Sequence, residues 1–323
     1  MRIIVIGGSG HIGSFLIPRL VRGGHQVVNI SRGTSNPYVD APEWQQVEQV
    51  VADRQREDAE GSFPDRLLGL GGEVVIDLVC FTLDSAAALV ERLRGQTGHY
   101  LFCGSIWSAG ASQVIPMSEE NTTEPFGEYG IGKYEIARML KQETASGGLV
   151  TTSLHPGHIS GPGWAPIGPT GNLDPTVWTR LSSGEPIRIP GLGAETMAHV
   201  HADDVAQSFE CAVEHRDEAS GEEFYITAAD ALNVRGYATL AASWFGRTPV
   251  LESVSWAAFR EGLTPEHADA SWQHLVRSQS FTMQKAQRLL GYAPKYSAGG
   301  TVQEAVRWLV DHGQLEVASP LVG

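Results

Sequence analysis

Three evenly spaced glycines follow the first apolar run of the chain and precede an amphipathic helical pattern, within IIVIGGSGHIGSFLIPRLVRGGHQVVNISRG at residues 3–33. They have G-x-x-G-x-x-G spacing and are Gly7, Gly10 and Gly13. In such a loop the first glycine permits a tight turn, the second lets backbone approach a pyrophosphate, and the third allows close helix packing. The helix that begins near His11 and Ile12 would present free N–H groups to the anion. The segment therefore predicts a strand, a loop and a helix that bind a dinucleotide.

Apolar, β-branched runs alternate with helical patterns through the first half of the chain. The runs span residues 3–7, 26–31, 74–79, 99–105 and 150–157. Because they are apolar at nearly every position, they read as central strands of a parallel sheet covered on both faces. Helical periodicity lies between them, for example at 12–23, 84–94 and 130–146. This order predicts an α/β fold with a Rossmann-type, doubly wound parallel sheet.

The composition changes to proline and glycine from residue 160 onward. We expect residues 1–165 to form the NAD(P)-binding Rossmann domain, with residues 195–228 returning to it. Residues 166–194 and 229–323 would form a smaller C-terminal α/β lobe that binds the substrate.

Charge and cysteine content narrow the classes of partner. The 323 residues carry 37 acidic and 23 basic side chains, for a formal charge of −14, which repels nucleic acids and anionic membranes. The three cysteines fit neither a disulfide framework nor a zinc site, which favours a cytoplasmic location. Residues 1–6 already look like a strand, so we expect no signal peptide, and no apolar run approaches the ~20 residues of a membrane span.

The residues after the second strand bear on the choice of cofactor. Where a carboxylate would bind the ribose 2′-hydroxyl of NAD, the chain has Ser31 and Arg32. Arginine can instead pair with the 2′-phosphate of NADP, and Ser31 can donate a hydrogen bond. We therefore expect NADP, with NAD as the alternative if Arg32 faces water or stacks on adenine. Asp53, placed after the next short strand, is a candidate acceptor for the adenine amino group.

A tyrosine and a lysine stand four residues apart in FGEYGIGKYEIARML, and a serine ends an earlier strand in LFCGSIWSAG. Tyr129 and Lys133 would share one helix face, where a nearby ammonium favours the phenolate and lowers the tyrosine pKa. Ser105 would lie at the carboxyl edge of the sheet, where doubly wound folds bind ligands. The three residues predict general acid/base catalysis on a hydroxyl or carbonyl oxygen.

The sequence resembles the extended short-chain dehydrogenase/reductases, in particular their NAD-dependent epimerase/dehydratase branch. The resemblance is carried by GGSGHIG, Ser105, YGIGK, LHPGHISGPG, HVHADDVA and KAQRLLGYAP, and so covers almost the whole chain. It implies that Tyr129 is the acid/base, that Lys133 holds the nicotinamide ribose and lowers the pKa of Tyr129, and that Ser105 orients the substrate oxygen. It also implies hydride exchange with the nicotinamide and a homodimer through a helix pair that includes the Tyr129 helix. The expected cofactor site further includes Leu78, Pro156 and His158.

Departures from the branch limit the prediction of substrate. Dehydratases of the branch have Asp-Glu after the catalytic serine or threonine, whereas this chain has Ile106 and Trp107, which disfavours 4,6-dehydration. The two arginines that grip a nucleotide diphosphate are replaced, in the family's register, by Met197 and Trp272, although Arg277 is near. The expected substrate contacts are Trp107, Asn172 of GNLDP, Trp178 and His199.

Four histidines and two aspartates lie close together in the sequence of the second half, namely His155, His158, His199, His201, Asp203 and Asp204. His-x-His on a strand directs two imidazoles to one face, as in some metal sites. We nevertheless predict no metal, because either aspartate can cap the following helix and the histidines can satisfy backbone groups near the cofactor loop.

The sequence thus predicts an NAD(P)-dependent epimerase or oxidoreductase acting on a sugar or sugar-nucleotide-like substrate. An NADPH-dependent carbonyl reductase of a non-nucleotide small molecule is the alternative. A non-catalytic RNA- or nucleotide-binding member of the superfamily is a third possibility, which the intact Ser105, Tyr129 and Lys133 disfavour.

Overall fold

Seven parallel strands form the central sheet of the computed structural model, which describes residues 1–322. The strands are β1 Arg2–Ile6, β2 Gln26–Ser31, β3 Glu48–Val51, β4 Val74–Asp77, β5 His99–Cys103, β6 Thr151–Pro156 and, later in the chain, β11 Glu223–Ile226. Their order is β11-β6-β5-β4-β1-β2-β3, and every neighbouring pair is parallel. The order reverses between β1 and β4, so the doubly wound α/β sheet predicted from the alternating pattern is confirmed.

Helices cover both faces of this sheet. Those of the first half are α1 His11–Arg22, α2 Arg54–Ala59, α3 Phe63–Gly69, α4 Leu83–Leu93 and α5 Glu128–Ala145, with 3₁₀ turns at Pro42–Gln46 and Ile106–Ala109. Ile3 and Val5 of β1 face a core that contains Phe209, whereas Ile4 and Ile6 face a second core with Ile136. Each fully buried side chain of this size contributes about 1.5–3 kcal/mol, so burial on both faces explains why these strands are apolar throughout.

The remaining elements follow β6 in the chain. The strands are β7 His158–Ser160, β8 Ile187–Pro190, β9 Thr196–Met197, β10 His199–His201, β12 Leu232–Asn233 and β13 Leu251–Val254. The helices are α6 Thr176–Ser183, α7 Ala202–Glu214, α8 Arg216–Ala219, α9 Val234–Ser243, α10 Trp256–Glu261, α11 Pro265–Leu275, α12 Gln284–Leu290 and α13 Ala298–Asp311. The six strands form three pairs, β10 with β7, β12 with β9 and β13 with β8.

A third apolar core lies among these later elements. Val177, Tyr237 and Val306 belong to it. By contrast, Ala286 and Leu290 of α12 pack into the core that contains Ile3, although the sequence placed residues 229–323 in the smaller lobe. Within residues 1–322, no helix combines the length and the apolar character needed to cross a bilayer.

Candidate active site

The glycine loop connects β1 to α1 as a tight turn. Gly7 has φ +86°, in the left-handed region that favours glycine, and its carbonyl accepts from Gly10 N at 3.0 Å. A Cβ on Gly13 would meet the backbone of Gly8, so only glycine allows α1 to pack this closely on the loop. Gly10 precedes α1 and supplies no side-chain cap, which leaves the N–H groups of the first turn, including those of His11 and Ile12, without a side-chain acceptor. This geometry fits a pyrophosphate.

Two aromatic side chains enclose His11 at the start of α1. The His11 ring stacks on Trp164 at a centroid distance of 4.9 Å, and Tyr38 meets it edge-on at 5.7 Å. Burial, reinforced by the charge of His201, lowers the pKa of His11 to about 3. A neutral imidazole therefore stands beside the anion-binding loop.

A cavity of 660 Å³ opens between the glycine loop and the carboxyl ends of β2 and β3. Its walls include Ser9, Ser31, Gly33 and the loop residues Asn36 to Asp40. Ser31 thus lies where the sequence predicts, whereas Arg32 is exposed and is not part of the wall. Asp53 caps α2 by accepting from Arg56 N at 3.2 Å, so its contact with adenine stays a prediction. The cavity suits the adenosine end of a dinucleotide.

Asn29 is a polar contributor to this region that the sequence analysis missed. It is fully buried on β2, and its Nδ2 donates to Ser9 Oγ at 2.9 Å and to Gln49 Oε1 at 2.8 Å. It thereby joins the glycine loop to β3. Its signal in the sequence is a single amide inside the apolar run QVVNIS.

Ser105, Tyr129 and Lys133 come together at the carboxyl edge of β5. Ser105 is 8% exposed, and Tyr129, in the first turn of α5, lies close enough for the Ser105 side chain to favour its ionised form. Lys133 is one turn further along α5, with Nζ 5.7 Å from the centroid of the Tyr129 ring. Its ammonium donates to the carbonyl oxygens of Cys80 and Cys103, both at 2.8 Å.

Burial dominates the pKa values of this pair. It raises the pKa of Tyr129 to about 12, against the opposing hydrogen bond from Ser105. Burial also lowers the pKa of Lys133, which is 2% exposed. The effect expected from the sequence, a tyrosine pKa lowered by the lysine, is not present in the chain alone. Desolvation outweighs the other effects on the Tyr129 pKa, and the Lys133 ammonium donates to two backbone carbonyls.

A histidine and a glutamate from the next two strands support Ser105. The backbone N–H of Ser105 donates to His155 Nδ1 at 3.2 Å, and His155 Nε2 lies 3.3 Å from Glu223 Oε2. Burial works against ionisation of Glu223, but His155 and Lys141 outweigh it and hold the carboxyl pKa at about 2. His155 is thus one of the histidines that satisfy a backbone group, and its position beneath Ser105 is not indicated by the sequence.

A buried ionic network lies at the end of β4, next to Leu78. Asp77 is fully buried, pairs with Arg54 and accepts from Tyr100 Oη at 2.8 Å. Its other oxygen accepts from Val79 N at 3.2 Å, and the Val79 side chain lies against Gly7. The network therefore fixes the backbone between Leu78 and the glycine loop. An aspartate inside the apolar run VVIDLV is its sequence signal.

The expected substrate residues separate into two groups. Trp107 contacts Tyr129 and His274 at ring-centroid distances of 5.7 and 5.1 Å, so it lies at the active site. Trp178 is 3% exposed and packs in the core of the later elements, which corrects its prediction as a pocket residue. Asn172 is also buried. Its side-chain amide donates to Ser271 Oγ and accepts from the backbone N–H of Asp174, so the diphosphate contact expected for Asn172 stays a prediction.

The histidines and aspartates of the second half do not form the arrangement that the sequence analysis described. The helix α7 is capped by His201, whose Nδ1 accepts from Asp203 N at 2.9 Å, and not by an aspartate. Asp203 instead pairs with Arg19 at 2.7 Å, and Asp204 accepts from the backbone of residues 295 and 296. Within residues 1–322 no three His, Cys, Asp or Glu side chains are grouped so as to hold a metal ion.

His158 and His199 lie side by side on β7 and β10, with ring centroids 5.5 Å apart. The ring nitrogens of both lack a hydrogen-bond partner, although the backbone of His158 lies close enough to favour protonation of His199 slightly. The expectation that the histidines satisfy backbone groups therefore fails for His158 and His199, whereas His155 and His201 each accept from a backbone N–H. Pro156 ends β6, two residues before His158, and is buried.

Residues 80–227 match the model of the NAD dependent epimerase/dehydratase family. Three similar proteins are each 26% identical to the chain. They are the chloroplast stem-loop binding protein of 41 kDa b of Arabidopsis thaliana (91% of this chain, 75% of that protein), the 2′-dehydrokanamycin reductase of Streptomyces kanamyceticus (98% and 86%) and a UDP-glucose 4-epimerase of Mycolicibacterium smegmatis (65% and 72%).

Solved structures show the same fold. The chain aligns with a UDP-glucose 4-epimerase of Thermotoga maritima at a TM-score of 0.72 and 21% identity, over 97% of this chain and 99% of that one. It aligns with a dTDP-glucose 4,6-dehydratase of Bacillus anthracis, solved with NAD, at 0.74 and 16%, over 97% and 98%. The glycine loop, the Ser105 edge and the match over residues 80–227 together make the chain similar to the NAD dependent epimerase/dehydratase family.

Proposed function

We propose that the protein is an NAD(P)-dependent enzyme that transfers a hydride at a hydroxyl- or carbonyl-bearing carbon of a sugar-like small molecule. The observation that carries this proposal is the meeting of Ser105, Tyr129 and Lys133 at the sheet edge that also holds the glycine loop. Relatives named as an epimerase and as a reductase of a sugar-derived compound support the same class of reaction.

Each of the three side chains has a chemical task that its contacts allow. When bound, the nicotinamide supplies the hydride exchange. Tyr129, which lies beside Ser105, holds the proton that moves to or from the substrate oxygen, and Ser105 orients that oxygen. Lys133 has three N–H donors, of which two are occupied by the carbonyls of Cys80 and Cys103, so one remains for a ribose hydroxyl.

The test of the catalytic assignment is Tyr129→Phe. Removing the hydroxyl should reduce kcat by about 10²–10⁴-fold, the usual contribution of a general acid or base, while cofactor affinity changes little. Tyr134→Phe is the matched control, because Tyr134 lies on the same helix and is 39% exposed. Full turnover by Tyr129→Phe would refute the assignment.

Epimerase and reductase are distinguished by the fate of the cofactor. An epimerase returns the hydride to the substrate, so the purified protein should carry nicotinamide and need none added. A reductase should consume one NAD(P)H for each product formed. Met197 and Trp272 stand where diphosphate-binding arginines are expected, which favours a reductase of a non-nucleotide substrate. The whole-chain likeness to epimerases favours an epimerase. Quantifying bound nicotinamide and its redox state decides between them.

We propose NADP as the preferred cofactor, with NAD as the alternative. No carboxylate ends β2, and Ser31 lines the cavity at the adenosine end beside Arg32. Arg32→Ala should weaken NADP binding at least tenfold and leave NAD unchanged, whereas the exposed Arg56→Ala should alter neither. Equal losses for both cofactors would contradict a 2′-phosphate contact.

Assembly as a homodimer through α4 and α5 is part of the proposal. The outer sides of these helices expose Leu83, Ile131 and Tyr134, and between the helices lies a groove lined by Ala87, Val90 and Met139. Light scattering should give twice the chain mass, and Ile131→Glu should reduce it. The three cysteines are unpaired, which fits the cytoplasmic location that we also propose.

The division into a Rossmann domain and a substrate lobe at the stated boundaries remains a proposal, to be tested by limited proteolysis.

Likeness to a stem-loop binding protein raises RNA binding as a second candidate. The formal charge of −14 opposes it, because phosphate contacts require basic side chains. Titration with a stem-loop RNA at two salt concentrations tests it. Tight, salt-dependent binding together with no hydride transfer would favour this second function.

A further inference from the structure

A basic cluster without carboxylates lies next to Trp107. Its members are His158, His199, His274 and Arg277. The neighbouring histidines His155 and His201 each have a glutamate within 3.3 Å. In contrast, the structure of residues 1–322 gives no carboxylate partner to any of the four. The titratable groups that lower the pKa of His158 are His274, His199 and Arg277, none of which is a carboxylate.

Arg277 is the least satisfied member of this cluster. It is 1% exposed and lies between two rings, with the guanidinium carbon 4.0 Å from the centroids of both Trp107 and Phe126. Of its five N–H donors, Nη1 bonds the backbone and side chain of Gln273, and Nη2 donates to Phe126 O at 2.8 Å. Nε has no acceptor, and one N–H of Nη2 also remains. Two adjacent donors of a guanidinium match the two oxygens of a carboxylate.

An unpaired cation in this environment is energetically unfavourable. Burial lowers the pKa of Arg277 to about 10 and the pKa of His158 well below its ordinary value. A buried charge without a counter-ion is destabilising, and so is a buried polar atom without a hydrogen bond. A ligand anion would satisfy the guanidinium and the unpartnered nitrogens of His158 together.

The position of the cluster relates it to the reaction. The same Trp107 ring that contacts Arg277 also contacts Tyr129, at a centroid distance of 5.7 Å. The two positions where the family resemblance places diphosphate-binding arginines hold Met197, which is fully buried, and Trp272. The Trp107 ring therefore separates the Arg277 guanidinium from the proposed acid/base Tyr129.

We propose that Arg277 and His158 form a subsite for a carboxylate that the substrate carries close to its reacting carbon. The inference rests on the proposed function for the identity of the pocket. It specifies a small anionic sugar-like substrate, such as a sugar acid, rather than a nucleotide diphosphate sugar.

Calorimetric titration of the purified full chain, loaded with NADP, tests the subsite without turnover. The probes are glucuronate, glucose and glucose 6-phosphate, which share a ring and differ in charge. Glucuronate should bind at least tenfold more tightly than glucose. Because burial lowers the pKa of His158 and a nearby carboxylate would raise it, binding should take up protons, seen as different heats in two buffers of unequal ionisation enthalpy. Glucose should show no such difference.

Variants separate this subsite from general folding effects. Arg277→Met should lower glucuronate affinity to that of glucose, and His158→Gln should remove the proton uptake. The exposed Arg288→Met is the matched control and should change neither. Arg277 also contacts Trp107 and Phe126, so its replacement could disturb the fold. Normal binding of glucose and NADP by the variant would establish that its fold is intact. The proton uptake of the unmodified protein tests the subsite without any substitution.

Three outcomes overturn the subsite. The first is equal affinity of the unmodified protein for glucuronate and glucose, which includes no binding of either. The second is an anion preference that Arg277→Met retains. The third is tighter binding of glucose 6-phosphate than of glucuronate, which would assign the subsite to a phosphoryl group. Tyr129→Phe should keep the glucuronate preference. Failure of hydride transfer and failure of the subsite are therefore distinguishable.

Discussion

Three buried histidines should make the protein unusually sensitive to mild acid. Burial, together with the smaller effect of a nearby basic group, lowers the pKa values of His11, His99 and His199 to about 3. In the unfolded chain a histidine titrates near 6.5. Between these values the unfolded state binds more protons than the native state, so the free energy of unfolding rises with pH and is lost as pH falls below 6.5. From pH 7 to pH 5 the loss is about 2 kcal/mol for each histidine, or about 6 kcal/mol together.

Such a loss is a large fraction of the stability of an ordinary protein, which is about 5–15 kcal/mol. Urea unfolding of the cofactor-free protein at a series of pH values between 7 and 5 measures it. His99, on β5, is the best single probe because its Nε2 contacts Thr152 Oγ1 at 2.8 Å, remote from the glycine loop. His99→Gln should reduce the pH-dependent loss by about 2 kcal/mol, whereas the exposed His215→Gln should leave it unchanged. The same pH dependence in His99→Gln and the unmodified protein would refute the reasoning.

Two further substitutions test the glycine loop and the buried ionic network beside it. Gly13→Ala should reduce NADP affinity at least tenfold, measured by cofactor fluorescence, because its Cβ would press on the backbone of Gly8; Gly69→Ala, with open space around it, should bind normally. Asp77→Asn should lower the free energy of unfolding by about 3 kcal/mol in chemical denaturation, because it leaves Arg54 buried without its principal counter-ion. The exposed pair of Asp65 and Arg92 provides the control, where Asp65→Asn should cost less than about 1 kcal/mol and an equal loss would argue against the buried network.

The sheet could be predicted from the sequence because its constraint is local. Ile3 and Val5 face one core and Ile4 and Ile6 the other, so burial on both faces produces the continuous apolar run. The glycine loop is equally local, since its turn and its close packing depend on residues within one segment. Tyr129 and Lys133 share a helix, and a separation of four residues places them one turn apart.

The polar contacts could not be predicted, because their partners are distant in sequence. Arg54 and Asp77 lie on different elements, and nothing in the spacing of the two residues indicates that they pair. The sequence predicts an aspartate cap at the start of α7. In the structure Asp203 pairs with Arg19 of α1, and His201 caps the helix instead. The sequence predicts Trp178 as a substrate contact, but tryptophan occurs both in pockets and in cores, and only the packing identifies this one as a core residue.

The raised pKa of Tyr129 also indicates a direction for the proposed chemistry. With a pKa of about 12, Tyr129 is protonated at neutral pH, so the chain by itself presents a proton donor to a carbonyl oxygen. To act as a base, the phenol needs a positive charge nearer than the Lys133 ammonium, which is held by the carbonyls of Cys80 and Cys103. In the cofactor-free chain, Tyr129 is therefore in the protonation state that donates to a carbonyl oxygen. Oxidation of an alcohol, which epimerisation also requires, depends on a change in charge around Tyr129 when cofactor and substrate bind.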